Sequence, residues 1–137
     1  MDRLYRFLNQ QIGRPFVWGE NDCCLILADW IREVYGYDPA EHLRFTYDSA
    51  SSCQRHTRFF TNPVSVVASM AEDVCNFSRT DSFVKGDVGI LYLPVDKKMT
   101  PVGGIFTGKS WAVKAPDGVT TLQPHEIKAV WGVGYGA

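Results

Sequence analysis

No long apolar run occurs in the 137 residues, and none approaches the roughly 20 needed to cross a bilayer as a helix. Neither sign of charge prevails: fourteen basic residues face fifteen acidic ones, a net charge of −1. Such balance offers no electrostatic footprint for a phosphate backbone or acidic lipid, so nucleic acid and membrane insertion are set aside as readings. Internal repeats, low-complexity stretches and linker-like segments are missing too, which leaves a single domain over residues 1–137. The first twenty residues hold Asp2, Arg3, Arg6, Arg14 and Glu20. They leave no room for the apolar centre of a signal peptide, so synthesis in a cytoplasm without standard export is expected. Histidine is scarce, with three residues, and the four cysteines include no Cys-X-X-Cys pair. In a reducing compartment Cys23, Cys24, Cys53 and Cys75 are expected to be thiols. What is present is ordinary for a folded domain: 45% hydrophobic and 21% charged residues. A chain of this length buries roughly two-thirds of its unfolded surface without disulfides or metal, and the composition excludes disorder, collagen and coiled coil.

Apolar Leu4, Tyr5, Phe7, Leu8 and Ile12 follow helical spacing up to Gly13, which predicts a short amphipathic helix. Pro15 then forces an extended segment from Phe16 to Gly19. A second helix is predicted to start at Asn21-Asp22, both good N-caps. It carries Cys23, Leu27, Trp30, Ile31 and Val34 on one face and stops at Gly36. Further helices are predicted over Ser52 to Phe60 and from Asn62-Pro63 to about Met70. Beyond Gly86 the segments become short and β-branched or aromatic: Val88 to Leu93, Val102 to Phe106, Trp111 to Lys114, Val119 to Leu122 and Ala129 to Val133. Turn residues such as Gly108-Lys109 and Asp117-Gly118 bound them. Helices followed by a run of antiparallel strands make an α+β domain.

The chemistry-bearing stretch is Trp18-Gly19-Glu20-Asn21-Asp22-Cys23-Cys24. A cysteine in the first turn of a helix faces unpaired backbone N–H groups and the positive end of the helix dipole, and both favour thiolate. That makes Cys23 a candidate nucleophile. The commoner fate of a free cysteine is to be a small buried apolar residue, and position alone leaves both readings open. Cys53 and His56 have ligand-like spacing on a predicted helix, but no second pair completes a zinc site, so no metal is expected. Gly103-Gly104 lacks a following helix, and Gly132 to Gly136 ends the chain, so neither reads as a phosphate loop and no cofactor is expected.

The segment around Asp22-Cys23 resembles the nucleophile motif of the NlpC-type, papain-like cell-wall cysteine peptidases, in which a tryptophan and a glycine precede an Asp-Cys pair. Lys85-Gly86-Asp87-Val88-Gly89-Ile90-Leu91 resembles the strand that begins that family's sheet, and Gly104-Ile105-Phe106-Thr107-Gly108 its next strand. A nearer likeness is to small tailed-phage and prophage proteins related to these peptidases. It rests on Phe16 to Cys23, Ala28-Asp29-Trp30, Gly36-Tyr37-Asp38-Pro39-Ala40, Leu43-Arg44 and Tyr47-Asp48-Ser49. The resemblance implies a central helix bearing Cys23 packed on a five-stranded antiparallel sheet. It also implies a virion component of the tail tip, with other tail-tip proteins and peptidoglycan as the partners to expect. Trp18 and Asp22 are then expected to contact a peptide substrate in the cleft at Cys23.

The same alignment places Val102 where the family has its catalytic histidine and Lys114 near its third polar residue. Valine exchanges no proton and a lysine ammonium cannot accept one from an imidazole, so neither takes the family role. Loss of general acid–base help costs typically ~10²–10⁴-fold in rate. His125, in Gln123-Pro124-His125-Glu126, is the candidate replacement base; His42 and His56 need a less direct chain path. Two readings follow: a structural tail-tip component with a degenerate hydrolase site, favoured by Val102, and an active peptidoglycan peptidase or amidase using Cys23 and His125. A cytoplasmic thiol redox or acyl-transfer protein ranks below both for want of Cys-X-X-Cys.

Overall fold

A computed structural model describes residues 2–136 as an α+β fold of four helices and a five-stranded antiparallel sheet. Helix α1 (Arg3–Ile12) is capped by Asp2, whose carboxylate accepts from the Leu4 N–H at 2.8 Å, and buries Leu4, Phe7, Leu8 and Gln11. Helix α2 (Leu25–Tyr35) ends on Gly36 at φ +84°. Its Leu25, Ile26, Leu27, Ala28, Trp30 and Ile31 are all buried, because it lies under the sheet rather than on the surface. A 3₁₀ turn (Glu41–Leu43) leads to α3 (Ala50–Thr57), started by a Ser49/Ser52 capping box. Helix α4 (Pro63–Ala68) runs on into a π-helical turn, Ser69–Val74. No helix among the described residues is long and apolar enough to cross a membrane.

The strands are β1 (Val88–Val95), β2 (Lys98–Phe106), β3 (Trp111–Ala115), β4 (Gly118–Leu122) and β5 (Glu126–Trp131). They form one sheet in the order β4-β3-β2-β1-β5. β1 pairs with β2 in a register that sets Leu91 opposite Val102 and Gly89 opposite Gly104. Those two glycines clear space for an indole: a Cβ at either would stand 3.1–3.2 Å from the ring of Trp111. Trp111 there joins Leu91, Val102, Val113 and Val130 in a buried apolar cluster. The larger core lies between the sheet and α2, where Trp30 contacts Phe7 and Tyr135 and donates from Nε1 to Gly86 O at 2.8 Å.

Element boundaries move for local reasons. The regular part of the second helix begins at Leu25 rather than Asn21-Asp22. The third spans Ala50–Thr57 rather than Ser52 to Phe60, since Ser49 caps it early and Arg58 ends it at φ +63°. β5 spans Glu126–Trp131 rather than Ala129 to Val133, because a bulge at Ile90/Leu91 of β1 lets Glu126 and Ile127 pair with Tyr92 and Leu91.

Phe45 stands out after the 3₁₀ turn: its backbone is left-handed (φ +61°) and its side chain 77% exposed. Left-handed backbone costs an L-residue about 1–2 kcal/mol, and glycine returns part of that as unfolded-state entropy. Phe45→Gly is therefore expected to raise stability by about 0.5–1 kcal/mol, read as a higher urea midpoint. A fall in the midpoint would show that the ring contributes packing that its exposure conceals.

Candidate functional site

Residues Pro15 to Asn21 form a tight loop, closed by a bridge between Val17 and Asn21 and by the Asn21 amide donating to Pro15 O at 2.9 Å. The loop delivers Trp18 and Cys23 to one wall of a cleft of about 420 Å³. Phe16, Phe60, Val102 and Lys114 stand around it, and Asp96 and Thr100 add further polar lining. Trp18 meets Phe16 edge-on at 4.9 Å and Phe60 at 6.1 Å. The cleft thus brings together Cys23, picked out by the nucleophile motif, with Val102 and Lys114, picked out by the strand alignment, although they sit on the loop before α2, on β2 and on β3.

Asp22 does not face this cleft. It is fully buried, and its four hydrogen bonds are internal. Oδ1 accepts from the N–H groups of Cys24 (3.0 Å) and Leu25 (2.8 Å). Oδ2 accepts from the Gly19 N–H (3.0 Å) and the Tyr47 hydroxyl (2.7 Å). The N-cap position of α2 is Cys24, two residues later than the sequence suggests, yet the Asp22 carboxylate still takes the N–H groups of Cys24 and Leu25, and the Ile26 N–H to Asp22 O bond begins a helical turn there. A side chain so committed has nothing left to offer a substrate.

Cys23 accordingly sits in the first, irregular turn before Leu25, but its thiol is not activated. It is 6% exposed and packed against Val102 and Leu91. Its pKa is pushed well up, first by burial and then by the carboxylate of Asp22. Desolvation of a thiolate in an apolar cluster outweighs the helix-end field that position alone suggested. The approach of β2 to this turn is close: the Gly103 N–H donates to Cys23 O at 2.8 Å, and a Cβ at Gly103 would lie 2.8 Å from that oxygen. Gly103→Ala is expected to cost about 1–3 kcal/mol by prising β2 from the turn, checked by thermal denaturation. An unchanged midpoint would mean that the two elements separate freely.

Lys114, 3% exposed, closes the end of α1: Nζ donates to Gln11 O at 2.8 Å and to Arg14 O. Burial moves its pKa down. His125 is exposed in the connection between β4 and β5 and does not line the cleft. His42 and His56 are exposed as well, so no histidine lies beside Cys23. Cys53 is buried beside Thr57 while His56 faces out, so that pair does not converge. Among the described residues no group of three His, Cys, Asp or Glu side chains is placed to hold a metal ion.

Several motif residues turn out to be joints of the fold. Arg44 ties Asp29 (2.7 Å) to Asp38 (2.6 Å) and donates to Glu20 O. Despite that ion pair, burial leaves the Asp29 carboxyl titrating above its ordinary value. Asp87 accepts from the N–H groups of Val84 (2.9 Å) and Val133 (3.0 Å), and so pins the entrance of β1 to the C-terminal segment. Sequence reasoning missed these pairings because the partners lie up to 46 residues apart. The available signal was that charged residues such as Asp29 sit within an otherwise apolar helix.

A family described as a domain of unknown function (DUF6950) matches residues 1–133. No curated protein and no solved structure matches the chain.

Proposed function

We propose, for a chain that belongs to the DUF6950 family, a non-hydrolytic derivative of the NlpC-type, papain-like peptidase fold that serves as a structural component of a phage tail tip. Its partners are then other tail-tip proteins, and its location is the virion. The observation that carries the loss of hydrolysis is the chemistry of the cleft. Cys23 is a buried, unactivated thiol, Val102 packs against it, and Lys114 is consumed by α1. Amide cleavage needs a thiolate to attack and an acid to protonate the departing amine. Phe16, Trp18, Val102 and Phe60 supply neither; of the other polar residues in the lining, Thr100 donates to Lys98 O and Asp96 is exposed in the turn between β1 and β2. The relation to NlpC-type peptidases is supported by the convergence of Cys23, Val102 and Lys114, which the nucleophile motif and the strand alignment together had linked. The tail-tip assignment is supported by the resemblance of the Trp18 to Cys23, Asp29, Asp38, Arg44 and Tyr47 motifs.

The test is release of new amino groups from purified peptidoglycan by the parent and by Cys23→Ala. Both are expected to match the blank while folding normally. Release by the parent that Cys23→Ala abolishes would establish the active peptidase reading instead. Mass spectrometry of purified particles is expected to find the chain in the virion; its confinement to the soluble lysate of infected cells would overturn the tail-tip assignment.

Thiol chemistry offers a third check. Cys23 in the native protein is expected to react with iodoacetamide at pH 7 far more slowly than the same residue in urea-unfolded chain. Val102→His, which restores a proton-exchanging group next to the sulfur, is expected to speed that reaction by about tenfold or more. Equal rates in parent and variant, with circular dichroism unchanged, would mean that position 102 does not address the thiol.

A further inference from the structure

The β1–β2 hairpin reaches beyond the rest of the sheet. β3 pairs with β2 at Gly104, Ile105 and Phe106, and β5 pairs with β1 no further than Tyr92. Val95 stands opposite Lys98 across a two-residue turn, Asp96-Lys97, in which both residues are left-handed (φ +51° and +67°). A turn of that kind makes Val95 and Lys98 a hydrogen-bonded pair, and such pairs alternate along an antiparallel ladder. Met99, Pro101 and Gly103 therefore turn their main-chain groups away from β1. Gly103 fixes the phase, since its N–H donates outward to Cys23 O. Met99 has no strand on that side, and neither its N–H nor its carbonyl has a partner among the described residues.

A groove of about 350 Å³ lies between residues 98–101 on one side and Gln54, Phe60 and Thr61 on the other. Successive strand residues point to opposite faces, so four in a row line one groove where it follows the hydrogen-bonding edge itself. Phe60 and Thr100 also line the Cys23 cleft, which opens on the face of β2 that carries Thr100 and Val102. Met99 belongs to the opposite face and is 47% exposed. Free main-chain groups on a strand edge, flanked by side-chain pockets, suit capture of an extended peptide as an added strand. An acyl chain could fill the cleft, but it would leave both Met99 groups unmet. Prolines narrow the site. Pro94 holds an outward position on β1 and Pro101 the next one on β2, and proline brings no N–H to a ladder. The outer edge of β1 is thereby blunted, and an added strand pairs with Met99 over a short segment. Charge narrows the partner: Lys98 is the one charged side chain lining the groove among the described residues, so a carboxylate opposite it is favoured and a cation disfavoured.

We propose that the edge of β2 at Met99 is a strand-addition site for an extended segment of a partner protein, running antiparallel like every other pair in the sheet. One residue of the segment exchanges both main-chain hydrogen bonds with Met99. The residue before it lies opposite Thr100 and sends an aliphatic side chain into the Cys23 cleft; the residue after it lies opposite Lys98 and carries a carboxylate. The recognised pattern is thus aliphatic, any residue, acidic. This names a class of partner without relying on a place in the virion, and its failure would leave the loss of hydrolysis standing, because no bond is cut in the test.

The probe is the peptide acetyl-Thr-Leu-Thr-Glu-Thr-amide, titrated at up to millimolar concentration into the ¹⁵N-labelled full chain and followed by amide NMR. The Met99 amide resonance is expected to shift as the peptide binds. N-methylation of the central threonine removes the N–H that faces Met99 O and is expected to weaken binding about tenfold or more. N-methylation of the glutamate, whose N–H points away from β2, is expected to leave it unchanged. Met99→Pro removes the donor on the protein side and is expected to abolish binding. Lys98→Glu, a charge reversal at an exposed position that leaves the fold intact, is expected to weaken it several-fold. No binding of the unmodified peptide, equal weakening by the two methylations, or unchanged affinity in a folded Lys98→Glu protein would each overturn the proposal. So would a dimer of the chain that covers Met99 in the absence of peptide, seen by sedimentation and by loss of the Met99 shift.

Discussion

Gly19→Ala is expected to destabilise the protein by about 3–4 kcal/mol, enough to leave a marginal domain partly unfolded. Gly19 has φ +81°, and a Cβ there would stand 2.0 Å from the backbone oxygen of Tyr47. Left-handed backbone alone costs alanine about 1–2 kcal/mol. The clash adds an overpacking cost of similar size, because a carbonyl cannot rotate away as a side chain can. Movement of Tyr47 would also take its hydroxyl from Asp22 and unsettle the cap of α2. Urea titration with an unchanged m-value is the measurement. A loss below about 1 kcal/mol would show that the Tyr47 loop yields freely and that the close approach at Gly19 is no constraint.

Asp22→Ala is expected to cost about 3–5 kcal/mol. It strands three backbone N–H groups and the Tyr47 hydroxyl in a dry interior. An exposed helix cap is worth only about 0.5–2 kcal/mol, so the size of the loss separates an internal joint from an ordinary cap. Asp22→Asn keeps the shape and part of the bonding, and its loss is expected to be smaller. It also removes the negative charge that helps hold the Cys23 thiol protonated, so alkylation of Cys23 is expected to quicken in Asp22→Asn. A stable Asp22→Ala protein would refute the structural role assigned to this carboxylate. A slower Cys23 in Asp22→Asn would refute the electrostatic one.

The two variants bear on what the motif residues do for the fold. The Trp18 to Cys23 segment resembles a nucleophile motif, yet Gly19 is needed to let Tyr47 approach, and Asp22 caps a helix and holds that tyrosine. These duties persist whether or not the thiol reacts. Asp29, Asp38 and Arg44 form one ion network, and Gly86 receives the Trp30 indole N–H. Residues with such duties are held by the fold itself, whatever stands at position 102.

Local rules carried the secondary structure well, since caps and periodicity act within a few residues. Leu4, Phe7 and Leu8 on α1, Gly36 ending α2 and the alternating short segments after Gly86 were legible for that reason. Boundaries shifted where a cap competed, as at Ser49, or where a neighbouring strand bulged, as at Ile90/Leu91. The state of the site was not legible. Whether Cys23 is a nucleophile depends on what surrounds its sulfur, and Val102 and Leu91 reach it only through the β1–β2 pairing. The role of Lys114 is set by carbonyls 103 and 100 residues earlier in the chain.

By itself, then, the sequence determined an α+β domain, its order of helices and strands, and the candidate nucleophile. Only the tertiary structure decided that the thiol is buried and unactivated, that Asp22 and Lys114 are internal supports, and that Arg44 joins Asp29 to Asp38. The physical reason is range: helix and strand preferences are settled between near neighbours, whereas desolvation and pKa belong to surroundings assembled from distant segments.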